Sequence, residues 1–325
     1  MVEFPDPALS PFKRSGAALA PGKFVDPART REGAERASVP LSQLETLWFN
    51  TGTLCNLACA TCYIESSPTN DALVYLTAAE VDRYLDEIET ERMGTRTIGL
   101  TGGEPFMNRD IMAILGSCLE RGFDVLVLTN AMRPMQRFEA ELAALLRRHR
   151  ERLVLRVSLD HHTRAAHEAE RGTATWAKAM AGIAWLRDQG ARIAIAGRQL
   201  ADEDLDDARA GYAALFDRLG LDLDPANPEH LVLFPEMDAS LDTPEVSEQC
   251  WDILGLEKTA VMCASSRMVV KRKGEATPRV AACTLLPYEA EFDLGETLAE
   301  AARPVRLNHP HCSRFCVLGG ASCSG

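Results

Sequence analysis

Short apolar runs alternate with stretches of helical periodicity between residue 44 and about residue 237. Short runs bounded by turn residues are typical of buried strands, and apolar residues spaced three and four apart indicate amphipathic helices. The predicted strands are 44–54, 96–100, 124–130, 153–159, 191–196 and 230–234, and the predicted helices are 77–91, 109–121, 135–150, 175–189 and 204–219. Because strands and helices alternate, the pattern predicts a parallel sheet of six strands, wound right-handed, with helices outside.

Two kinds of local signal mark the ends of these helices. Thr77 followed by Glu80 forms a capping box, which predicts a helix that begins just after Thr77. Gly122 and Gly190 follow two predicted helices, at the position where a left-handed residue commonly ends a helix. The capping box therefore marks where one helix begins, and the two glycines mark where the chain leaves a helix towards the next strand.

The alternating pattern stops at both ends of this central region. Residues 1–43 combine Pro, Ala, Gly and charged residues, which predicts an extended or disordered arm, with a lid over the functional face as the alternative. Residues 44–237 form the predicted sheet region. Residues 238–325 form a predicted cysteine-rich tail, with a short helix over 243–254 and two strands, 268–273 and 279–282, around Gly274.

Composition narrows the class of protein. The chain has 325 residues, 46% of them hydrophobic and 25% charged, as is ordinary for a soluble globular protein. No apolar stretch approaches the roughly 20 residues of a membrane helix, and residues 1–40 lack the apolar core of a secretion signal. The net charge of −12 disfavours nucleic acid, whose binding relies on Lys and Arg. We therefore expect neither nucleic acid nor a membrane as partner.

Cysteine usage points to metal chemistry. Ten cysteines without an export signal predict reduced thiols that bind metal in the cytoplasm. Three of them, Cys55, Cys59 and Cys62, lie in one loop after the first predicted strand. This spacing allows one loop to bind three irons of a 4Fe-4S cluster and leave the fourth iron without a protein ligand. The alternatives are a zinc site, for which no fourth Cys or His lies within twenty residues, and buried structural thiols.

Three segments together resemble the radical S-adenosylmethionine (SAM) superfamily. The first is the CxxxCxxC loop, and the second is Thr101-Gly102-Gly103-Glu104-Pro105 after the second predicted strand. The third is Arg156-Val-Ser158-Leu-Asp160 on the fourth strand, followed by Arg171-Gly172. The resemblance implies an α/β fold, a partial (β/α)6 TIM-type barrel open on one side, with a small cysteine-rich α+β C-terminal extension.

The resemblance also implies an activity. Cys55, Cys59 and Cys62 would bind a 4Fe-4S cluster whose open iron is chelated by SAM. An electron donor of the flavodoxin or ferredoxin type would reduce the cluster, and SAM cleavage would give a 5′-deoxyadenosyl radical. That radical would abstract hydrogen from a peptide or small-molecule substrate, leading to oxidation or crosslinking. The implied cofactor-binding residues are Thr61, Tyr63, Gly102, Gly103, Glu104, Pro105, Asn130, Ser158, Asp160 and Arg171.

Side-chain chemistry fits several of these roles. All three segments follow the carboxyl ends of predicted parallel strands, where such folds collect their chemistry. By resemblance, Gly102, Gly103 and Glu104 would contact the ammonium group of SAM, the glycines because a Cβ would block a close ligand. Ser158 and Asp160 would face its ribose or carboxylate. Arg171 would pair with that carboxylate through its planar guanidinium. The alternatives are an ordinary turn at Gly102-Gly103 and helix caps elsewhere.

The chain departs from the family's pattern at two places. Thr61 stands where many members have an aromatic residue, and Tyr63 follows the third cysteine instead. This departure removes side-chain stacking at residue 61, while a backbone contact to adenine is still possible. His161 stands where members often have glycine, and we expect His161, His162 and His167 on the surface. The sequence assigns no catalytic acid or base.

The tail predicts a second site. Cys263 and Cys283 flank a predicted hairpin, and Cys312, Cys316 and Cys323 follow. This arrangement resembles the twitch and SPASM tails of some radical SAM enzymes, which implies an auxiliary 4Fe-4S cluster bound by Cys263, Cys283 and two of the last three. A zinc site that includes His309 or His311 is the alternative ligand set. For the whole protein, a non-catalytic iron–sulfur carrier or redox sensor and a zinc-stabilised scaffold are the competing functions.

Overall fold

The computed structural model describes residues 5–235 and 238–320. Its strands are β1 (Ser38–Val39), β2 (Thr46–Asn50), β3 (Thr97–Thr101), β4 (Asp124–Thr129), β5 (Leu153–Ser158), β6 (Arg192–Arg198), β7 (Leu231–Phe234), β8 (Ser266–Val270), β9 (Arg279–Ala281) and β10 (Val305–Arg306). Its α-helices are α1 (Ala78–Glu91), α2 (Ile111–Glu120), α3 (Arg133–Gln136), α4 (Glu139–His149), α5 (Arg164–Arg171), α6 (Thr175–Asp188), α7 (Leu205–Leu219) and α8 (Cys250–Leu254). Within these ranges, every helix is too short or too polar to span a bilayer.

One large sheet organises the molecule. Its strand order is β7-β6-β5-β4-β3-β2-β8-β9, and strands β2 to β7 lie side by side in parallel, in chain order. The tail adds β8 parallel to β2, and β9 pairs antiparallel with β8. The six consecutive parallel strands and their outer helices confirm the α/β partial barrel with a cysteine-bearing extension.

Local sequence signals account for most elements. The capping box is present, with Thr77 Oγ1 accepting from Glu80 N at 3.2 Å and Thr77 N donating to the Glu80 carboxylate at 2.9 Å. All five residues of β2 are buried, as expected for a central strand between helix-covered faces. The first six predicted strands and most helix ends are correct to within a few residues, because buried parallel strands and capped helices have strong local patterns.

Three helices differ from the prediction. The predicted helix 135–150 is divided into α3 and α4 at Phe138, whose backbone is not helical. Helix α5 was not predicted, because its eight residues are mostly polar and charged. The predicted helix 243–254 is reduced to α8, since Glu245 and Val246 bind the N-terminal arm instead: the backbone N–H of Ala37 donates to the Val246 carbonyl at 2.9 Å.

The N-terminal residues 5–43 lie along the tail and the strand ends. Strand β1 pairs antiparallel with β10, and the Arg36 guanidinium lies 2.6 Å from the Glu245 carboxylate with both side chains buried. The backbone N–H of Leu19 donates to the Ser240 carbonyl at 2.7 Å. The division into 1–43, 44–237 and 238–325 stays a prediction, and β8 of the third part extends the sheet of the second.

Candidate active site

The carboxyl ends of strands β2 to β6 surround a cavity of about 180 Å³. Its wall includes three thiols and eight of the predicted cofactor-binding residues: Cys55, Cys59, Cys62, Thr61, Tyr63, Gly102, Gly103, Asn130, Ser158, Asp160 and Arg171. Glu104 and Pro105 are buried behind this wall. Segments that are far apart in the sequence are therefore brought to one cavity, because parallel strands end at the same edge of the sheet.

The three thiols of the loop are largely withdrawn from water. Burial raises the pKa of the Cys55 thiol to about 12, and burial also raises the pKa values of Cys59 and Cys62. The positive charge of Arg171 opposes the rise in each case. Ionised thiols that are withdrawn from water need a compensating positive charge. A coordinated metal ion supplies that charge and keeps the thiol deprotonated. The donor set fits an iron–sulfur cluster.

Gly102 and Gly103 are required by a contact within the protein. A Cβ on Gly103 would lie 2.3 Å from the Leu54 carbonyl oxygen. Gly102 has a φ of +140°, and a Cβ there would lie 2.5 Å from the Gly52 carbonyl oxygen. The Gly103 N–H donates to that same Gly52 oxygen at 2.8 Å. The glycines therefore allow the end of β3 to pack on the backbone that leads into the cysteine loop, in addition to lining the cavity.

We expect Gly103→Ala to lower the free energy of unfolding by about 2 kcal/mol, because a Cβ must push backbone atoms apart. Chemical unfolding of the purified protein measures this change. Gly116→Ala is the matched control, since a Cβ at Gly116 in α2 meets no atom within 4 Å and alanine favours a helix. Equal stability of Gly103→Ala and the wild type would contradict the proposed backbone contact.

Glu104 connects the ends of β3 and β4. Its carboxylate accepts from Asn130 N at 2.8 Å, from the Thr129 hydroxyl at 2.8 Å and from Phe106 N at 3.2 Å. Burial raises the pKa of Glu104 to about 7, although these hydrogen bonds oppose the rise. The structure thus places the carboxylate on protein groups behind the cavity. The contact of Glu104 with the ammonium group of SAM, which the resemblance implies, stays a prediction.

The raised pKa of Glu104 predicts a pH dependence of stability. The folded-state pKa lies above the unfolded value, so the folded protein binds the proton more tightly. Stability from this group is fully present below about pH 4.5 and is lost as pH rises through about 7. We expect unfolding free energies of the wild type to fall over this window relative to Glu104→Gln. His167, His309 and His311, whose pKa values burial lowers to about 4, are shared by both proteins and cancel in the difference. Parallel pH profiles would contradict the prediction.

Asp160 and Arg171 form a buried ion pair. Arg171 Nε lies 2.6 Å from one carboxylate oxygen of Asp160, and Nη2 lies 3.2 Å from the other. Burial alone would raise the pKa of Asp160, but the charge and hydrogen bonds of Arg171, together with the charges of Arg198 and His167, outweigh burial and lower the pKa. The guanidinium therefore pairs with Asp160, and both residues and half-buried Ser158 line the cavity. The contact of Arg171 with the SAM carboxylate, which the resemblance implies, stays a prediction.

Asn130 ties the end of β4 to the cysteine loop. Its side-chain N–H donates to the Asn56 side-chain oxygen at 2.9 Å, and its own oxygen accepts from Met132 N at 3.1 Å. Asn56 directly follows Cys55 in the sequence. This hydrogen bond therefore holds the loop residue next to Cys55 against the end of β4.

Glu170 and Arg198 were not found from the sequence. The Glu170 carboxylate accepts from Thr61 N at 2.8 Å and from the Thr61 hydroxyl at 2.7 Å, and it lies 3.0 Å from Arg198 Nη1. The Ser10 hydroxyl donates to the same carboxylate at 2.6 Å. Helix α5 thus holds the cysteine loop through Glu170. Arg198 ends β6 at the same edge as the other site residues, but the predicted strand stopped two residues before it.

The prediction for two of the three histidines was wrong. His161 and His167 are buried, and His162 is half-buried. His167 packs edge-on against Trp176, with ring centroids 5.5 Å apart. The polar sequence around these residues favours exposure, but His161 packs against Phe12 and Glu203, and His167 of α5 packs against Trp176 of α6.

Four tail cysteines gather around a second, small cavity. Its wall includes Cys263, Cys283, Cys312 and Cys316 together with His311. Burial raises the pKa of Cys263 to about 11 and also raises that of Cys312, to which the nearby thiols of Cys283, Cys263 and Cys316 add. Four thiols around one cavity fit a four-ligand cluster. Cys323 lies outside the described residues.

A buried arginine adjoins these thiols. Arg267 donates to the carbonyls of Cys263 at 2.6 Å, Ser266 at 2.7 Å and Ala301 at 2.9 Å. Burial lowers the pKa of Arg267 to about 10, and the charges of the Cys263 and Cys283 thiols oppose this shift. The guanidinium therefore places positive charge where ionised thiols would be stabilised.

The fold and the cavity define the class of protein. The model of the Radical SAM superfamily matches residues 49–210, a stretch that includes the cysteine loop and both other motifs. The chain belongs to the radical SAM superfamily, and its extension is a twitch/SPASM-like tail.

Similar proteins include a bacterial bacteriocin biosynthesis protein and a bacterial maturase. The chain is 29% identical over 168 residues to AlbA, the antilisterial bacteriocin subtilosin biosynthesis protein of Bacillus subtilis (strain 168), a match that covers 51% of this chain and 35% of AlbA. It is 28% identical over 172 residues to the mycofactocin maturase MftC of Mycobacterium ulcerans (strain Agy99), covering 52% of this chain and 43% of MftC. The matches therefore span less than half the length of either relative.

Solved structures share the fold. Streptococcus suis SuiB bound to S-adenosylmethionine superposes with a TM-score of 0.57 and 12% identity, over 78% of this chain and 63% of SuiB. The anSMEcpe protein with bound AdoMet superposes with a TM-score of 0.55 and 14% identity, over 79% of this chain and 76% of that one. At these identities the likeness concerns the fold alone.

Proposed function

We propose that this protein cleaves SAM reductively at a 4Fe-4S cluster held by Cys55, Cys59 and Cys62, and that it oxidises or crosslinks a peptide or small molecule. The observation that carries the proposal is the single cavity that these thiols share with the residues of the other two motifs. When bound, the cluster and SAM supply a 5′-deoxyadenosyl radical that abstracts hydrogen from the substrate.

In this proposal the residues of the chain bind and orient SAM, and they exclude water from the cavity. Gly102 and Gly103 leave backbone free of side chains along one wall, where SAM can approach closely. Asp160, neutralised by Arg171, and Ser158 offer hydrogen-bonding groups on the opposite strand. Leu128, Phe234 and Phe315 add apolar surface to the cavity and limit the entry of water, which would quench reactive species.

A peptide substrate is supported by the relatives and by a second opening. AlbA acts in the biosynthesis of a bacteriocin, MftC is a maturase, and SuiB has a structure bound to its precursor peptide SuiA. In this chain a wider cavity of about 400 Å³ shares Thr61, Cys62 and Tyr63 with the first one. Lys13, Asp238 and Tyr288 also line it, so it offers charged and aromatic contacts to a substrate that reaches in from the surface.

We further propose that the tail binds an auxiliary 4Fe-4S cluster through Cys263, Cys283, Cys312 and Cys316. The four thiols around one cavity support this set, and His311 on the same wall keeps zinc as the competitor to be tested. An electron donor of the flavodoxin or ferredoxin type and a cytoplasmic location complete the proposal, since the cysteine usage fits a reducing compartment.

Counting metals tests both cluster sites. The protein is reconstituted anaerobically with iron and sulfide, and iron, sulfide and zinc are measured per chain. We expect about eight irons in the wild type and about four in the Cys55→Ala/Cys59→Ala/Cys62→Ala variant, at four irons per cluster. Four irons in the wild type and none in the variant would remove the auxiliary cluster. Zinc without iron would overturn the proposed function.

A further inference from the structure

A cluster of three potential metal ligands lies beside the cofactor cavity and apart from both cysteine sites. His161 and His162 follow β5, and Glu203 lies between β6 and α7. One ligand atom of each side chain lies within 4.8 Å of the other two. We propose that His161, His162 and Glu203 bind one divalent transition-metal ion, which joins the loops that follow β5 and β6.

His161 and Glu203 already have the separation of two ligands on one ion. The Nε2 atom of His161 lies 3.2 Å from both carboxylate oxygens of Glu203. Two ligands bound to zinc at 2.0–2.2 Å in tetrahedral geometry lie about 3.4 Å apart, so separations of up to 4.8 Å in this cluster need to shorten by up to about 1.4 Å. The Nδ1 atom of His161 accepts from Thr163 N at 3.1 Å and lies 2.8 Å from the Thr163 hydroxyl. Coordination through Nε2 therefore requires the imidazole proton to lie on Nδ1, where the Thr163 hydroxyl can accept it.

A simple ion pair explains His161 and Glu203 but leaves His162 unexplained. The two imidazole rings lie with centroids 4.0 Å apart, and the Nδ1 atom of His162 is buried without a hydrogen-bond partner. A Cβ on Gly211 of α7 would lie 2.3 Å from the His162 ring, so glycine at this position makes room for the imidazole. A buried nitrogen without a partner costs free energy, and coordination to an ion would offset that cost.

An ion at this place would stabilise one wall of the cofactor cavity. Asp160, which precedes the two histidines, accepts from the Arg198 backbone N–H at 2.8 Å, and both residues line the cavity. The Glu203 carboxylate also accepts from Leu200 N at 3.2 Å, which fixes the β6 loop around it. Two imidazoles and one carboxylate are a ligand set that suits zinc, iron(II), cobalt(II) and nickel(II). The role is structural and does not depend on the proposed reaction.

Cobalt(II) is the probe that tests the site in the full chain with its cysteines already loaded with iron and sulfide. We expect one cobalt per chain. The difference spectrum recorded on adding cobalt should show d–d absorption but no new cobalt–thiolate charge-transfer band, because the ligands are nitrogen and oxygen. His162→Ala and Glu203→Gln should each weaken cobalt binding by at least about tenfold. The matched control is His149→Ala, since His149 ends α4 at the opposite edge of the sheet.

Each outcome decides the proposal. Binding of one cobalt that is weakened by both substitutions and unchanged in His149→Ala supports it. The near-isosteric Glu203→Gln and a thermal unfolding curve for each variant separate lost binding from lost folding. No uptake by the wild type, uptake insensitive to His162→Ala, or a new cobalt–thiolate charge-transfer band in the difference spectrum would overturn the site. None of these results depends on whether the protein cleaves SAM.

Discussion

Cys59→Ala is expected to abolish formation of 5′-deoxyadenosine from SAM, a loss on the order of a millionfold in rate, comparable to the whole acceleration by a typical enzyme. The reason is that in the proposed site the loop supplies only three thiols to the cluster, so removing one would leave two irons without protein ligands. The measurement is the yield of 5′-deoxyadenosine with SAM and dithionite under anaerobic conditions, together with the iron content.

Cys118→Ala is the matched control for this experiment. Cys118 is a buried thiol on α2, like Cys59 in residue type, but it lies in the hydrophobic core. The substitution should cost about 1 kcal/mol of stability through lost packing and leave iron content and SAM cleavage unchanged. Full SAM cleavage by Cys59→Ala would be incompatible with the proposed cluster site.

Arg171→Met is expected to lower the free energy of unfolding by about 3 kcal/mol, because it leaves the Asp160 carboxylate buried beside an apolar side chain. Asp160 and Arg171 have side chains that are 9% and 13% exposed and form two hydrogen bonds. Arg198 still faces Asp160 in this variant, which limits the loss. Chemical unfolding measures the stability, and calorimetry on the same samples measures SAM binding.

Arg121→Met provides the comparison with a surface ion pair. Arg121 lies 2.7 Å from Asp86, whose side chain is 65% exposed, so solvent screens the pair and its loss should cost less than about 1 kcal/mol. If Arg171→Met were no more destabilising than Arg121→Met, the ion pair with Asp160 would not stabilise the fold as we infer.

These two predictions concern different properties of one cavity. In the proposed function the cysteine loop would bind the cluster, whereas Asp160 and Arg171 hold the strand end that faces the loop. Glu170 connects the two, because its backbone oxygen accepts from Ala60 N at 2.8 Å while its neighbour Arg171 binds Asp160. A residue of α5 thus positions the loop and the opposite wall together.

The sequence by itself determined the order of strands and helices, the cysteine loop and the edge of the sheet where the site lies. These follow from local information: apolar runs define β2 to β7, the capping box at Thr77 starts α1, and parallel strands place their ends together. The resemblance to known tails also predicted an auxiliary ligand set of Cys263, Cys283 and two of Cys312, Cys316 and Cys323, and the structure places Cys263, Cys283, Cys312 and Cys316 around one cavity.

Only the tertiary structure decided which groups meet across that edge. Arg171 pairs with Asp160, Glu104 binds the end of β4, and Glu170 holds the cysteine loop. These side chains belong to different strand–helix units of the barrel, and they compete for the same buried partners. The parallel pairing of β8 with β2 and the burial of His161 likewise arise from long-range packing. Sequence spacing sets where a residue lies along an element, but the free energy of burying a charge or a polar group depends on neighbours that folding brings from elsewhere in the chain.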